Sequence, residues 1–227
     1  MQSNKKTARA AGVLYLLLAL GSFFSFAVRG QLVVAGDIAE TLKRVASSET
    51  MFRLAIVGDL IGQTAFALLA PVLYWLFKPV DKVKATILAV LILVPVPIAL
   101  SALQSLYAVL PLAHGGAEAQ ALTLAARLLD SHAGGVTIAE FFWGLWLIPF
   151  GLLAWQSGFL PKVLGVLLVL GSVGYLLKSV ADVLMPGNGF LSSTVSICII
   201  VSTIAEVAMV LWLLIFGRKE AAQQAPV

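Results

Sequence analysis

Charged residues are scarce in this chain, and it has no polar segment long enough to make a separate soluble module. Only 11% of the 227 residues are Asp, Glu, Lys or Arg, whereas 60% are hydrophobic and the mean hydropathy is +1.01. This composition excludes an ordinary soluble domain. The pI is near 9.3, but the basic residues are scattered and have no aromatic interleaving, so we expect no nucleic-acid partner.

The residues that build redox, haem and metal sites are almost as rare. The one cysteine, Cys198, lies in an apolar run, which excludes an internal disulfide, a CxxC redox pair and a cysteine-rich metal site. The two histidines, His114 and His132, lie at the ends of apolar stretches and have no usual metal-ligand spacing. HExxH, Walker A, GxSxG and GxGxxG motifs are also missing. We therefore predict no cofactor, no metal site and no catalytic residue.

Six long apolar stretches fill most of the chain. Each is long enough to cross a hydrocarbon core of about 30 Å as a helix that rises about 1.5 Å per residue. The stretches lack the alternation of apolar and polar residues that is typical of a membrane β-barrel. Helices are then the structure that satisfies the backbone hydrogen bonds in lipid. The predicted fold is an all-α, polytopic integral membrane bundle of six transmembrane helices, forming a single membrane domain over 1–227. The predicted spans are 10–28, 51–77, 86–111, 132–155, 161–185 and 191–216.

The distribution of basic residues predicts the orientation of this bundle. One set of connections carries nine Lys and Arg residues with two carboxylates, and the opposite side carries six with nine carboxylates. The positive-inside rule then places both termini in the cytoplasm. The first apolar run follows Lys5, Lys6 and Arg9, as a signal peptide would, but it is too long for one and we interpret it as a retained span.

Two of the predicted outer connections are long enough to hold short amphipathic helices. In the first, Asp37 and Glu40 have the spacing of a capping box, and Leu42 belongs to an apolar stripe that follows. In the second, over 117–130, Leu124 and Leu128 belong to a similar stripe. We predict that both helices lie on the outer surface, as cover for the bundle or as a docking surface for a partner.

Polar side chains inside the spans are the most informative feature, because a charge at the centre of a bilayer costs about 2.5–3.5 kcal/mol. Counted from the predicted outer ends of their helices, Asp59, Gln104, Glu140 and Lys178 all lie about 10–12 Å below the outer surface. Four helices thus place polar groups at one depth. Such groups are expected to face the bundle interior or a wet cavity and to pair with one another.

Helical spacing extends this set. Asp59 and Gln63 are four residues apart, as are Lys178 and Asp182, so the second pair can form an ion pair along one helix face. Arg53 lies one to two turns above Asp59 and is a candidate counter-charge. The predicted pocket residues are Arg53, Asp59, Gln63, Gln104, Glu140, Tyr175, Lys178, Asp182 and Glu206, with Arg29, Asp37 and His132 at the outer mouth.

Glu206 differs from the other carboxylates because it lies deeper, about 22 Å from the outer surface, and has no evident basic partner. Desolvation disfavours the anion, so we expect this group to be protonated. The alternative interpretation of the whole set is structural, as hydrogen bonds and ion pairs that fix helix register. Prolines inside the spans add kinks, and the Pro95-Val96-Pro97 element is either a static kink or a broken helix of the transporter kind.

Nearly the whole chain resembles the bacterial six-helix membrane family called domain of unknown function 4386. The resemblance is carried by Ala8-Arg9, Phe26 with Arg29, Gly36-Asp37, Phe52-Arg53, Asp59-Leu60, Phe142-Trp143-Gly144-Leu145-Trp146-Leu147, Ser157-Gly158-Phe159-Leu160-Pro161-Lys162, Gly174-Tyr175, Glu206 and Leu211-Trp212. It implies a six-helix architecture and a bacterial membrane location, and it implies no activity. Lys178 is less typical of that pattern.

Three functions remain open from the sequence. The first is a non-enzymatic protein of the bacterial cytoplasmic membrane, with the lipid bilayer as its partner and an outward-facing polar pocket that binds or passes a small molecule, a lipid headgroup or a proton. The second is an intramembrane enzyme that uses Asp59 or Glu140 as a general base. The third is an accessory or assembly subunit that docks through its outer-loop helices.

Overall fold

The computed structural model describes residues 2–115, 118–185 and 189–215, and within these ranges the chain is helical and contains no strand. The side chains of 2–4 and 189–198 are outside this description, so the expectation for Cys198 lies outside the described residues. The helices are α1 (Gln2–Leu32), α2 (Ile38–Ser47), α3 (Glu49–Phe77), α4 (Lys82–Leu93), α5 (Pro95–Tyr107), a 3-10 helix (Leu110–His114), α6 (Ala119–Leu145), α7 (Leu147–Gln156), α8 (Lys162–Leu184) and α9 (Gly189–Ile215).

Within the described ranges, five helical segments are long and apolar enough to cross a membrane, which indicates a multi-pass membrane protein. The shorter apolar stretch Ile199–Ile215 lies within α9. The first five predicted spans each overlap one of these segments, whereas the sixth, 191–216, falls on α9. The exact bounds of the spans and the sixth span stay predictions. The five segments are Lys5–Leu32, Glu49–Phe77, Lys82–His114, Ala119–Gln156 and Lys162–Leu184.

Prolines divide two of these segments. The helix ends at Leu93 and a new one begins at Pro95, where the missing N–H removes a hydrogen bond and the ring crowds the preceding turn. Val94 keeps right-handed helical dihedral angles, so the interruption is a kink within one segment. Pro149 has the same effect between α6 and α7, where Trp146 separates the two helices. Pro71, by contrast, lies inside an uninterrupted α3.

The two helices predicted for the outer connections have different outcomes. The first is confirmed as α2: the Asp37 side chain accepts a hydrogen bond from Glu40 N at 2.9 Å, and Leu42 is buried. Gly36 precedes it with φ +77°, a conformation that favours glycine. The prediction of a separate second helix over 117–130 is wrong, because α6 continues without a break from Ala119 to Leu145. No proline interrupts α6 between the amphipathic stripe and the span.

The helices form two compact units, each assembled from separate stretches of the chain. Unit 1 contains 1–16, 66–95 and 140–227, and unit 2 contains 17–65 and 96–139. Unit 2 is held by an apolar cluster that α1, α2, α3, α5 and the 3-10 helix contribute. Its buried members are Val28, Leu32, Val45, Phe52, Ala55, Ile56, Leu103, Leu106 and Leu110.

Unit 1 has close helix packing and an aromatic core. A Cβ added at Gly165 of α8 would lie 2.5 Å from the carbonyl oxygen of Gly151 on α7, so glycine lets these backbones approach each other. Similarly, a Cβ at Gly171 would meet Ser202 of α9. The small residues of α8 therefore serve packing within the chain. The aromatic core stacks Trp146 on Phe150, with ring centroids 5.3 Å apart.

Candidate functional site

The carboxyl group of Glu206 in unit 1 accepts hydrogen bonds from three hydroxyl groups. The Tyr15 hydroxyl donates to Oε2 at 2.7 Å, and the hydroxyls of Ser202 and Tyr175 donate to Oε1 at 3.1 and 3.3 Å. Ser202 lies one turn before Glu206 on α9, whereas Tyr175 comes from α8 and Tyr15 from α1. No cationic side chain among the described residues pairs with this carboxyl. We call these four residues the Glu206 cluster.

The Tyr15 hydroxyl is held in place by aromatic packing. Only 2% of the Tyr15 side chain is exposed, and its ring contacts Trp146 edge-on at 5.5 Å between centroids and Phe150 at 6.3 Å. These rings remove water from one side of the cluster and fix the direction from which Tyr15 donates. The hydroxyl that donates to Glu206 Oε2 therefore comes from a ring that is packed against two other aromatic rings.

A second set of polar side chains in unit 1 surrounds Lys178 of α8. Its Nζ lies 2.5 Å from Glu140 Oε2 and 2.9 Å from Asp182 Oδ2. The contact with Asp182 was predicted from helical spacing, and the contact with Glu140 of α6 is added by the tertiary structure. The exposed side-chain fraction decreases from 47% at Asp182 through 31% at Lys178 to 16% at Glu140. We call these three residues the Lys178 cluster.

The two clusters are neighbours along the contact between α6 and α8. Tyr175 and Lys178 are one turn apart on α8, and Glu140 and Gly144 are one turn apart on α6. A Cβ at Gly144 would lie 2.9 Å from the Cβ of Tyr175, so the two helices touch between the clusters. Tyr175, which belongs to the Glu206 cluster, thus lies one helical turn from Lys178.

In unit 2, the counter-charge of Asp59 is Arg29 of α1. The two side chains form an ion pair, and the exposed fraction is 15% for Asp59 and 19% for Arg29. The prediction that Arg53 neutralises Asp59 is wrong: Arg53 pairs with Glu49, one turn earlier on α3, at 2.5 Å. Six residues separate Arg53 from Asp59, and at about 100° per residue they point from different faces of the helix.

The remaining predicted residues have separate environments in unit 2. Gln63 is 6% exposed, and within the described part of the chain its Oε1 accepts no hydrogen bond. Gln104 is exposed, His132 Nδ1 lies 3.0 Å from the carbonyl oxygen of Ala102, and Asp37 caps α2. Their meeting with the Lys178 cluster in one chamber stays a prediction.

Sequence reasoning missed Tyr15 as a site residue. A hydroxyl in the middle of a predicted span, among aliphatic residues, was the available signal, but nothing local connects it with Glu206, 191 residues away. The role of Arg29 was also missed, because it was placed at the outer mouth rather than beside Asp59. Both assignments depend on which helices are neighbours.

Comparison with known proteins gives a family and no further relative. Residues 10–217 match the family described as a domain of unknown function (DUF4386). No curated protein and no solved structure shows significant similarity to the chain. Because the match covers most of the sequence, the chain belongs to the family of the domain of unknown function DUF4386.

Proposed function

We propose that the protein is a non-enzymatic, multi-pass protein of the bacterial cytoplasmic membrane that binds and releases a proton at Glu206. In this proposal both termini are cytoplasmic, as the basic residues predict. The start of α8 is then cytoplasmic, and the Lys178 cluster, near the end of α8, connects Glu206 with the exterior. The proton is either the transported species itself or is coupled to the passage of a small molecule through the same polar region.

The observation that carries the proposal is the set of three hydroxyl groups around one carboxyl that, within the described part of the chain, has no cationic partner. An ionised carboxylate is acceptor-only, and three hydroxyl donors satisfy it. A protonated carboxyl has one donor, and a hydroxyl can rotate to accept its hydrogen bond. The Glu206 cluster therefore provides partners for both protonation states. A purely structural carboxyl needs partners for only one state.

The arrangement of unit 1 supports a route for the proton. Exposure decreases from Asp182 to Glu140, and Tyr175, which donates to Glu206, lies one turn from Lys178 on α8. Each group along the route donates or accepts a proton in one of its states. Intramembrane ionisable residues that pair with one another are typical of proton pathways in pumps and transporters.

The test is proton flux into proteoliposomes that contain a trapped pH-sensitive dye. A potassium diffusion potential with valinomycin drives protons inward. We expect the native protein to acidify the lumen faster than empty liposomes do, and Glu206→Gln to remove that difference. Glu118→Gln, which changes an exposed carboxylate in unit 2, is the matched control and should keep the native rate. Equal rates for Glu206→Gln and the native protein would contradict passage of the proton by itself.

A second measurement separates proton binding from proton passage. Infrared difference spectra recorded across a pH titration should contain a carboxyl band that Glu206→Gln removes. Tyr15→Phe takes away one donor, so we expect it to shift this band without abolishing it. If Glu206→Gln leaves every titrating carboxyl band in place, Glu206 does not exchange a proton and the proposal fails.

A further inference from the structure

Basic residues gather at one end of unit 1. Within the described residues, this end has seven cationic side chains and one carboxylate, Asp81, which pairs with Lys84. The net charge of this end is therefore +6. The seven basic residues, from the start of α1, the α3–α4 turn and the α7–α8 turn, are Lys5, Lys6, Arg9, Lys78, Lys82, Lys84 and Lys162.

The two turns are in direct contact. The ring of Phe77, at the end of α3, stacks on that of Phe159 at a centroid distance of 5.8 Å and an interplanar angle of 24°. Lys84 Nζ also lies 3.2 Å from Gln156 Oε1, which joins the start of α4 to the end of α7. Gly158, with φ +70°, forms the tight turn that brings Phe159 back to this contact. Cations on the two turns therefore belong to one surface.

Each turn presents a lysine over an exposed tryptophan. Lys78 Nζ lies 4.8 Å from the ring centroid of Trp75, and Lys162 Nζ lies 5.4 Å from that of Trp155. The two indoles are 62% and 48% exposed. Among the described residues, neither lysine pairs with a carboxylate. An exposed indole beside a cation is the combination found at membrane–water interfaces, where the ring lies at headgroup level.

We propose that the α3–α4 and α7–α8 turns together form a binding site for the phosphate headgroup of an anionic phospholipid, with Lys78 and Lys162 as its cationic ligands. Basic sites between transmembrane helices bind anionic headgroups in this way. The lysines supply the attraction for phosphate, and Trp75 and Trp155 contact the glycerol and upper acyl region. A free phosphate ion has no apolar part that would contact the exposed indoles, so the tryptophans favour a lipid as the occupant.

The expected effect follows from the number of charges involved. Each basic residue near an anionic surface contributes about a fivefold factor in affinity, so loss of both lysines should weaken binding about 25-fold. Because this attraction is electrostatic and near the surface, added salt should weaken it as well.

The experiment uses the full chain in detergent, titrated with phosphatidylglycerol or phosphatidylcholine, with lipid retention read by native mass spectrometry. We expect the native protein to retain phosphatidylglycerol preferentially and Lys78→Gln/Lys162→Gln to lose that preference. The charge-matched control is Lys43→Gln/Arg127→Gln, which removes two exposed cations from unit 2 and should keep it. Equal melting temperatures of both double variants in phosphatidylcholine would establish that each is folded.

Two further arms distinguish the alternatives. Trp75→Leu/Trp155→Leu keeps every charge and should still reduce retention of phosphatidylglycerol, whereas native retention in this variant would contradict a lipid site. Inorganic phosphate should compete only weakly, and full displacement of the lipid by phosphate would identify a simple anion site and overturn the proposal. An equal loss of preference in the Lys43→Gln/Arg127→Gln control would reduce the effect to net charge, which also overturns it.

Discussion

Breaking the ion pair between Arg29 and Asp59 should destabilise the protein by about 3 kcal/mol. The side chains are only 19% and 15% exposed, so neither charge recovers its hydration when the other is removed. A lone charge inside a bilayer costs about 2.5–3.5 kcal/mol, and the loss of one partner of a buried pair costs about 3–5 kcal/mol. The two ranges overlap near 3 kcal/mol, which corresponds to an increase of about a hundredfold or more in the equilibrium constant for unfolding.

The perturbations are Arg29→Met, Asp59→Leu and the double variant. Methionine is close to arginine in length, and leucine is somewhat larger than aspartate, so neither replacement leaves a cavity and the change is mainly one of charge and hydrogen bonding. In the double variant no unpaired charge is left in the apolar surroundings, and replacing a buried pair with hydrophobic residues is often neutral. We therefore expect the double variant to be no less stable than either single variant.

The assay is equilibrium unfolding in mixed micelles with increasing dodecyl sulfate, followed by tryptophan fluorescence. Arg53→Met is the matched control on α3, because the Arg53–Glu49 pair is solvent-exposed, with 51% and 29% of the side chains accessible. Pairs of this kind contribute about 0.3–0.5 kcal/mol. If the effects of Arg29→Met and Asp59→Leu simply add in the double variant, the two charges are not coupled and this reasoning is refuted.

The close approach of α7 and α8 and the charge at the start of α4 lead to two further predictions. Gly165→Ala should lower the free energy of unfolding by about 1–3 kcal/mol, because the new methyl group would meet the backbone oxygen of Gly151. In the control Gly30→Ala, the methyl group meets nothing within 4 Å, so this variant should be neutral or slightly more stable. Thermal unfolding measures both effects. The hydrogen bonds from the side chain and backbone of Lys84 lower the pKa of the Asp81 carboxyl. A lowered folded-state pKa contributes stability above the ordinary Asp pKa that is lost as the pH falls through the lowered value. Asp81→Asn keeps a side-chain oxygen that can accept the hydrogen bond from Lys84 N at the start of α4. Its melting temperature should thus lie below that of the native protein near neutral pH and equal it in acid.

Local features of the sequence were sufficient to predict α2. Its cap, Asp37, and its buried residue Leu42 are close in sequence, and the backbone geometry of one helix determines how they lie. The contact of Lys178 with Asp182 was predictable for the same reason, because residues four apart share a helix face. The separate helix over 117–130 was predicted wrongly, since an amphipathic stripe reports which face is apolar and does not report where a helix ends.

Partners from other helices were not predictable in this way. Arg53 is the basic residue nearest to Asp59 along the sequence, and the pairing with Arg29 instead depends on how α1 and α3 are rotated about their axes. The same holds for Tyr15, which meets Glu206 only because the first half of α1 packs beside α9 in unit 1. Apolar periodicity is weak in spans that are hydrophobic on every side, so the sequence contains little information about rotation.

The sequence by itself determined that the chain is helical and apolar enough to cross a membrane several times, because bilayer thickness and backbone hydrogen bonding leave few alternatives for such a composition. It also determined which ionisable side chains lie within apolar stretches of the chain. Only the tertiary structure decided which of them meet. A carboxyl in lipid can be satisfied by any neighbouring donor, so the packing of the helices selected three hydroxyl groups for Glu206 and a guanidinium group for Asp59.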